Sequence, residues 1–204
     1  MKSAPEKIGI FGGTFSPPHM GHVKTAENFA RKIEADKLFI IPTNLPPHKD
    51  YGTEAGAEER LEMARLAFSH IPRAEVLDIE VRRGGRSYTY ETLRELSREG
   101  RELYFLCGTD MFLTLGEWKN PEEIFSRATI CYARREEGVE NDNLIAARVA
   151  EYTERFGARI LQIENNVVEV SSTELREILR ERREARGFIP RSVYDYIIDR
   201  GLYL

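Results

Sequence analysis

Several residue types and motifs are scarce in this chain of 204 residues, and each scarcity excludes a class of protein. Its two cysteines and four histidines are too few for a structural zinc cluster. Both cysteines, Cys107 and Cys131, lie in apolar runs, so we expect buried free thiols in a reducing compartment. The net charge of −4 argues against a non-specific nucleic-acid binder, which would be broadly basic.

Long apolar segments and two well-known nucleotide motifs are missing as well. No stretch approaches the length of a transmembrane helix, and the N-terminus lacks the apolar core of a signal peptide. We therefore predict a cytoplasmic protein that does not contact a membrane. Neither G-x-G-x-x-G nor G-x-x-x-x-G-K-[ST] occurs, which argues against a dehydrogenase and against a P-loop enzyme.

Short apolar runs alternate with amphipathic segments along most of the chain. The runs predict strands, and the segments predict helices. The predicted strands are 7–11, 37–42, 75–79, 102–107, 129–133 and 159–163, and the predicted helices are 22–35, 57–70, 89–99 and 141–156. This alternation favours an α/β fold, a Rossmann-like doubly wound parallel sheet with helices on both faces. We expect a single domain over 1–204, in which 165–204 is a C-terminal helical segment.

The most unusual group of residues follows the first predicted strand. Gly12 and Gly13 open a turn, and His19 and His22 stand three residues apart, a spacing that places two side chains on one face of a helix. A helix N-terminus attracts anions, so paired imidazoles there suit a reaction that moves negative charge between phosphates. The alternative is a tight glycine turn beside two surface histidines.

The string GGTFSPPHMGH, which ends at His22, resembles the H-x-G-H signature of the nucleotidyltransferase superfamily. In its full length it is similar to the motif of the bacterial nicotinate-nucleotide adenylyltransferases, although Ser16 stands where that family usually has Asp. The resemblance implies that His22 binds the α-phosphate of ATP and the attacking oxygens, while His19 steadies the leaving polyphosphate. It implies further ATP contacts at Gly12, Gly13, Thr14 and Phe15.

Two other strings resemble parts of the same ATP site. The string SSTELR is similar to the family's S-S-T-x-x-R motif, which grips the β- and γ-phosphates of ATP; simple helix capping is the alternative. The string FLCGTD contributes a glycine and a carboxylate that could accept hydrogen bonds from ribose hydroxyls. The ATP-binding residues implied here are Gly108, Asp110, Ser171, Ser172, Thr173 and Arg176.

The remaining strings point to the second substrate. PTNLPPHK is similar to a family motif that borders the mononucleotide pocket, and SYTYETL resembles a stretch whose backbone N–H groups receive the nicotinate carboxylate. The single tryptophan could stack on the pyridine ring, and an arginine after the fifth predicted strand matches a family position near the substrates. The implied mononucleotide-binding residues are Asn44, His48, Lys49, Tyr88, Thr89, Trp118 and Arg134. The alternative interpretations are a rigid surface loop for PTNLPPHK, a core position for the tryptophan and a charged surface face for the arginine.

The resemblance implies a reaction of NAD biosynthesis. ATP and nicotinate mononucleotide give nicotinate adenine dinucleotide and pyrophosphate, without a general base because a phosphate monoester is already anionic. We expect Mg²⁺ to be carried with ATP rather than held in a protein metal site. The open alternatives are nicotinamide mononucleotide as sole or additional acceptor, a phosphopantetheine acceptor, and a catalytically silent nucleotide sensor. The oligomeric state also stays open, with a homo-oligomer among the options.

Overall fold

A computed structural model describes residues 4–46, 55–134, 139–164 and 171–204, with backbone alone for 139–141. The strands in these ranges are β1 (Glu6–Gly13), β2 (Lys37–Pro42), β3 (Ala74–Val76), β4 (Arg101–Gly108), β5 (Ala128–Ala133) and β6 (Ile160–Ile163). The helices are α1 (Met20–Ile33), α2 (Ala57–Phe68), α3 (Ile79–Arg83), α4 (Thr89–Leu96), α5 (Thr109–Thr114), α6 (Pro121–Arg127), α7 (Val139–Phe156), α8 (Ser172–Arg180) and α9 (Arg191–Arg200). A 3₁₀ turn, Leu115–Glu117, separates α5 from α6.

The strands form one sheet in the order β3-β2-β1-β4-β5-β6. The pairs β1–β4, β4–β5 and β5–β6 are parallel, with Ile8 opposite Leu103 and Leu106 opposite Cys131. The strand order reverses between β1 and β4, which is the topological switch point of a doubly wound sheet. The predicted Rossmann-like α/β fold is confirmed.

The strands of the sheet consist largely of apolar residues, and most of these residues are buried. All six residues of β5 are buried, as is the middle of β1 from Ile8 to Phe11. A strand that is covered on both faces has a continuous run of apolar residues in its sequence, rather than alternating apolar and polar residues. Cys107 and Cys131 lie in this layer as free, buried thiols, as predicted, and burial raises the pKa of both, that of Cys131 to about 12.

Helices α1 and α2, which flank the histidine turn and the loop after β2 in sequence, each bury one face. Helix α1 buries Val23, Ala26 and Phe29, whose spacing of three residues defines one apolar stripe. Helix α2 buries Leu61 and, next to it, the charged side chain of Arg60. None of the helices in the described ranges has the length and apolar content needed to span a membrane.

The third predicted strand is partly wrong. Strand β3 ends at Val76, and Ile79 instead begins helix α3. The helix ends at Gly84, whose φ of +71° suits glycine and whose N–H donates to the carbonyls of Glu80 and Val81. Because a short apolar run fits either a strand or a buried helical turn, periodicity alone does not separate the two.

The described chain groups into two compact units. The first unit comprises residues 1–11, 28–38 and 88–166, and the second comprises 12–27, 39–87 and 167–204. The histidine motif and the SSTELR string belong to the second unit. The residues from Tyr88 to Arg134 belong to the first.

Candidate active site

The two histidines of the second unit hold each other in place. His19 is 8% exposed, His22 is half-buried, and the centroids of their rings lie 3.7 Å apart. The backbone N–H of His19 donates to Nδ1 of His22 over 3.3 Å, and that of His22 donates to Nδ1 of His19 over 3.4 Å. An imidazole that accepts at Nδ1 carries its proton on Nε2, so Nε2 becomes the donor of each ring.

Gly21, between the two histidines, is required by the closeness of the rings. A Cβ atom at this position would lie 2.9 Å from both Nδ1 and Cε1 of His19, well inside van der Waals contact. Any side chain at position 21 would therefore displace the His19 ring. This contact gives the glycine of the H-x-G-H string a physical reason.

Phe15 supports His22 from the preceding turn. Its ring is 2% exposed, and its centroid lies 5.2 Å from that of His22 and 5.5 Å from that of Phe68, both in edge-to-face geometry. A Cβ on Gly13 would lie 2.9 Å from the Phe15 ring. The glycine turn thus lets an aromatic ring pack beneath a predicted catalytic imidazole.

The SSTELR string begins helix α8 and reaches the histidine motif. Ser171 caps the helix, since its Oγ accepts the N–H of Glu174 over 3.2 Å. Ser172 Oγ donates to the carbonyl of Pro17 over 3.0 Å, and Arg176 Nη1 donates to the carbonyl of Ser16 over 2.8 Å. Two predicted phosphate-binding motifs, far apart in sequence, are joined by hydrogen bonds inside the second unit.

A capping box fixes the first turn of α8. Glu174 accepts hydrogen bonds from the backbone N–H and the hydroxyl of Ser171, both over 2.7 Å, and these bonds lower the pKa of its carboxyl. Arg176 Nη2 donates to Thr173 Oγ1 over 3.1 Å. The guanidinium is thereby oriented at a helix N-terminus, where anions are favoured.

The loop after β2 carries Asn44. Its Nδ2 donates to the carbonyl of Gly85 over 2.8 Å, and its backbone N–H donates to Ser87 Oγ over 2.9 Å. The next two predicted mononucleotide residues, His48 and Lys49, lie outside the described residues.

Sequence reasoning missed Arg60, which donates to the carbonyl of Asn44 from helix α2. The available signal was a charged residue beside Leu61 on the face of α2 that is otherwise apolar.

In the first unit, the end of β4 and the end of β5 carry three predicted residues. Gly108 precedes helix α5, and the carboxylate of Asp110 is exposed in the first turn of that helix. Thr109 Oγ1 donates to the carbonyl of Ala133 over 3.1 Å, which ties these two strand ends together. Arg134 forms an ion pair with Asp142.

The predicted nicotinate site lies at the start of α4. Tyr88 precedes the helix, Thr89 is its first residue, and Nζ of Lys119 lies 4.2 Å from the centroid of the Tyr88 ring. Trp118, beside Lys119 in sequence, is half-buried and donates from Nε1 to Thr114 Oγ1 over 3.4 Å. Sequence reasoning missed Lys119, although its position after the single tryptophan was a usable signal.

No metal centre is built from the chain's own side chains where the structure describes them. In residues 4–46, 55–134, 139–164 and 171–204, no group of three or more His, Cys, Asp or Glu could hold a metal ion. Arg176 and the N-terminus of α8, the predicted phosphate-binding groups of the second unit, suit an anionic ligand.

The parallel sheet with its switch point beside β1, and the histidine turn that follows this strand, define an α/β protein of the nucleotidyltransferase class. The cytidylyltransferase-like family matches residues 10–178. The chain belongs to this family and, within it, to the nicotinate-nucleotide adenylyltransferases. The resemblance inferred from the motifs is confirmed.

Relatives match this chain along its whole length. It is 36% identical over 215 residues to the probable nicotinate-nucleotide adenylyltransferase of Desulfatibacillum aliphaticivorans, covering 97% of this chain and 100% of the relative. The protein of the same description from Dictyoglomus thermophilum is 37% identical over 200 residues, with the same two coverages. The solved nicotinic acid mononucleotide adenylyltransferase of Plasmodium falciparum, complexed with NaAD, shares the fold with a TM-score of 0.74 at 17% identity, covering 97% of each chain.

Proposed function

We propose that this protein transfers the adenylyl group of ATP to nicotinate mononucleotide, giving nicotinate adenine dinucleotide and pyrophosphate in NAD biosynthesis. One observation carries the proposal. Ser172 donates a hydrogen bond to the carbonyl of Pro17 and Arg176 donates one to the carbonyl of Ser16, so the start of α8 and the histidine turn form one hydrogen-bonded framework. The names and full-length coverage of the relatives support the same substrates.

The reaction exchanges one phosphate bond for another. An oxygen of the mononucleotide 5′-phosphate forms a bond to the α-phosphorus of ATP, and the bond from that phosphorus to the oxygen bridging it to the β-phosphate breaks. The electron pair leaves with pyrophosphate. Because the second pKa of a phosphate monoester is about 6, the attacking oxygen is anionic at neutral pH without a general base.

The chain's own contribution is to position the phosphates and stabilise their charge. His22 donates from Nε2 to the α-phosphate, and His19 donates from Nε2 to the leaving polyphosphate. Arg176 and the backbone N–H groups at the start of α8 bind the β- and γ-phosphates. Each of these groups is a donor or a cation, as a reaction between anions requires.

Mg²⁺ enters with ATP in this proposal. Bound to ATP, it would offset charge on the β- and γ-phosphates and would be held mainly by the substrate and water. Ser172 and His19, which lie in the predicted phosphate-binding motifs, offer a hydroxyl and an imidazole. The described residues hold no group of three or more His, Cys, Asp or Glu that could bind a metal, which suits a metal carried by its substrate.

Recognition of the acceptor ring rests on charge at the start of α4. The positive end of a helix and the Lys119 ammonium, which lies 4.2 Å from the Tyr88 ring centroid, both favour a carboxylate over a neutral amide. Trp118 supplies an aromatic face for the pyridine ring. Nicotinate is therefore the preferred acceptor, and nicotinamide the weaker one.

We also propose a cytoplasmic location and a single domain over 1–204. Two free, buried cysteines suit a reducing compartment. The family match at residues 10–178 extends through both compact units and supports one functional domain.

The test is pyrophosphate release from ATP with nicotinate or nicotinamide mononucleotide at equal concentrations. We expect a strong preference for the nicotinate form. Comparable rates would indicate dual specificity, and no release with either would favour a sensor or another acceptor. In the same assay, His22→Ala is compared with His70→Ala. His70 is a matched control because it is exposed and pairs with Glu27.

A further inference from the structure

Arg60 is a buried cation that no predicted motif includes. Its side chain belongs to helix α2 and is 2% exposed. Nη1 donates to the carbonyls of Thr14 and Thr43 over 2.9 Å and 2.7 Å, and Nη2 donates to the carbonyl of Asn44 over 2.8 Å. One guanidinium thus binds the backbone of two separate loops.

Arg60 is a buried cation held by backbone groups. In the part of the chain that the structure describes, the hydrogen-bond partners of Arg60 are three carbonyls and no carboxylate, and its buried Nε has no partner. Burying a guanidinium costs free energy, and the three hydrogen bonds offset part of this cost. Burial also lowers the pKa of Arg60, although a guanidinium remains charged.

The partners of Arg60 lie in the loops predicted to hold the two substrates. Thr14 belongs to the ATP loop, residues 12–16, and Thr43 and Asn44 belong to the mononucleotide loop, residues 43–46. The backbone N–H of Thr43 also donates to the carbonyl of Gly13 over 2.9 Å, so the loops are joined directly as well. A planar fork of five N–H donors can bridge several carbonyls at once, which a lysine cannot.

We propose that Arg60 is a positioning residue that holds the ATP loop and the mononucleotide loop in one arrangement, so that the two substrates meet in line. The proposal rests on the proposed function. Phe15 follows Thr14 and packs against His22, so a shift of the Thr14 carbonyl is passed to a predicted catalytic ring. A displacement of about 1 Å at a reacting group can lower a rate by about 10²-fold.

The test compares Arg60→Met and Arg60→Lys with the same two substitutions at Arg65. Arg65 lies on the same helix, is half-exposed and pairs with Glu62, so it is a matched control. The kcat and both KM values are measured from pyrophosphate release and expressed per folded protein, with the folded fraction taken from circular dichroism. Should Arg60→Met fail to fold, Arg60→Lys carries the test, since it keeps the charge and most of the volume.

We expect kcat to fall by about 10²-fold in both Arg60 variants, because an ammonium does not reproduce the bridge between the loops, while both Arg65 variants behave as wild type. Wild-type kcat and KM values in Arg60→Lys would overturn the proposal, because charge alone would then suffice. A loss of folded protein with unchanged kcat per folded molecule would reduce Arg60 to a structural role. An inactive wild-type protein would instead refute the proposed function, and the positioning role with it.

Discussion

The hydroxyl oxygens of Ser16 and Tyr203 lie 2.9 Å apart, and both side chains are buried. Ser16 is the position at which the motif resemblance implies an Asp. Burial raises the pKa of Tyr203 to about 12, and the bond to Ser16 opposes part of that rise. A buried, hydrogen-bonded pair of neutral hydroxyls therefore occupies this position.

A double-mutant cycle measures this pair. Ser16→Ala, Tyr203→Phe and the double variant each remove the hydrogen bond, so we expect a coupling free energy of about 1 kcal/mol in urea unfolding. The kcat should change little, since neither hydroxyl is assigned to the reaction. Additive losses in the double variant would mean that the two hydroxyls do not interact in solution.

The same tyrosine makes stability depend on pH in the alkaline range. The native state keeps the Tyr203 proton up to a pKa of about 12, whereas the unfolded chain loses it near 10.0. The unfolded state then binds fewer protons, so the free energy of unfolding falls as the pH rises through this window. Tyr203→Phe should flatten that fall in urea titrations at stepped pH, and an unchanged slope would contradict the shifted pKa.

His22 is predicted to bind the α-phosphate of ATP, where the new bond forms. Losing a positioned donor of this kind costs about 2.7–4 kcal/mol, or about 10²–10³-fold in kcat. We expect His22→Ala to lose at least this much while its circular dichroism spectrum stays native. The exposed His70→Ala serves as the control, and near-wild-type turnover of His22→Ala would remove this residue from the mechanism.

Arg176 should distinguish the two substrates. Arg176→Ala removes a cation from the start of α8 and the hydrogen bond to the carbonyl of Ser16. We expect the KM for ATP to rise more than the KM for the mononucleotide, because this cation is assigned to the β- and γ-phosphates. Arg180→Ala, in the last turn of the same helix, is the matched control. Equal effects on both substrates would contradict the assignment.

Lys119 should tune the choice of acceptor. A partly solvated ammonium near a carboxylate contributes about 1 kcal/mol, so Lys119→Met should reduce the nicotinate preference roughly fivefold. The measurement is the ratio of kcat/KM for the nicotinate and nicotinamide mononucleotides. Lys119→Arg keeps the charge and should keep the ratio; a ratio unaltered in Lys119→Met would exclude the lysine from recognition.

The elements that sequence predicted well depend on local signals. The turn before His19 and the cap at Ser171 each depend on residues that are close in sequence. The turn has two adjacent glycines, and the cap has a serine hydroxyl followed three residues later by Glu174. Short apolar runs predicted the strands, except where the run ending at Ile79 fitted a helical turn equally well. The fold class followed from this alternation.

What the sequence did not predict depends on tertiary contacts. A charged residue in an amphipathic helix is usually solvated, so the position of Arg60 on the apolar face of α2 was a weak signal that did not identify its partners. The partners of Arg60 are carbonyls, which every residue has. Lys119 likewise meets Tyr88 only after the chain between them has folded.

The two compact units contain different groups of predicted site residues, and this distribution affects how substrate specificity can change in evolution. The residues assigned to phosphate chemistry, His19, His22 and Arg176, all belong to the second unit, whereas Tyr88, Thr89 and Trp118, assigned to the pyridine ring, belong to the first. Substitutions that alter recognition of the ring can therefore accumulate in the first unit while the phosphate-binding residues of the second stay unchanged. Related enzymes that accept a different ring on the same mononucleotide phosphate would then differ mainly around Tyr88 and Trp118.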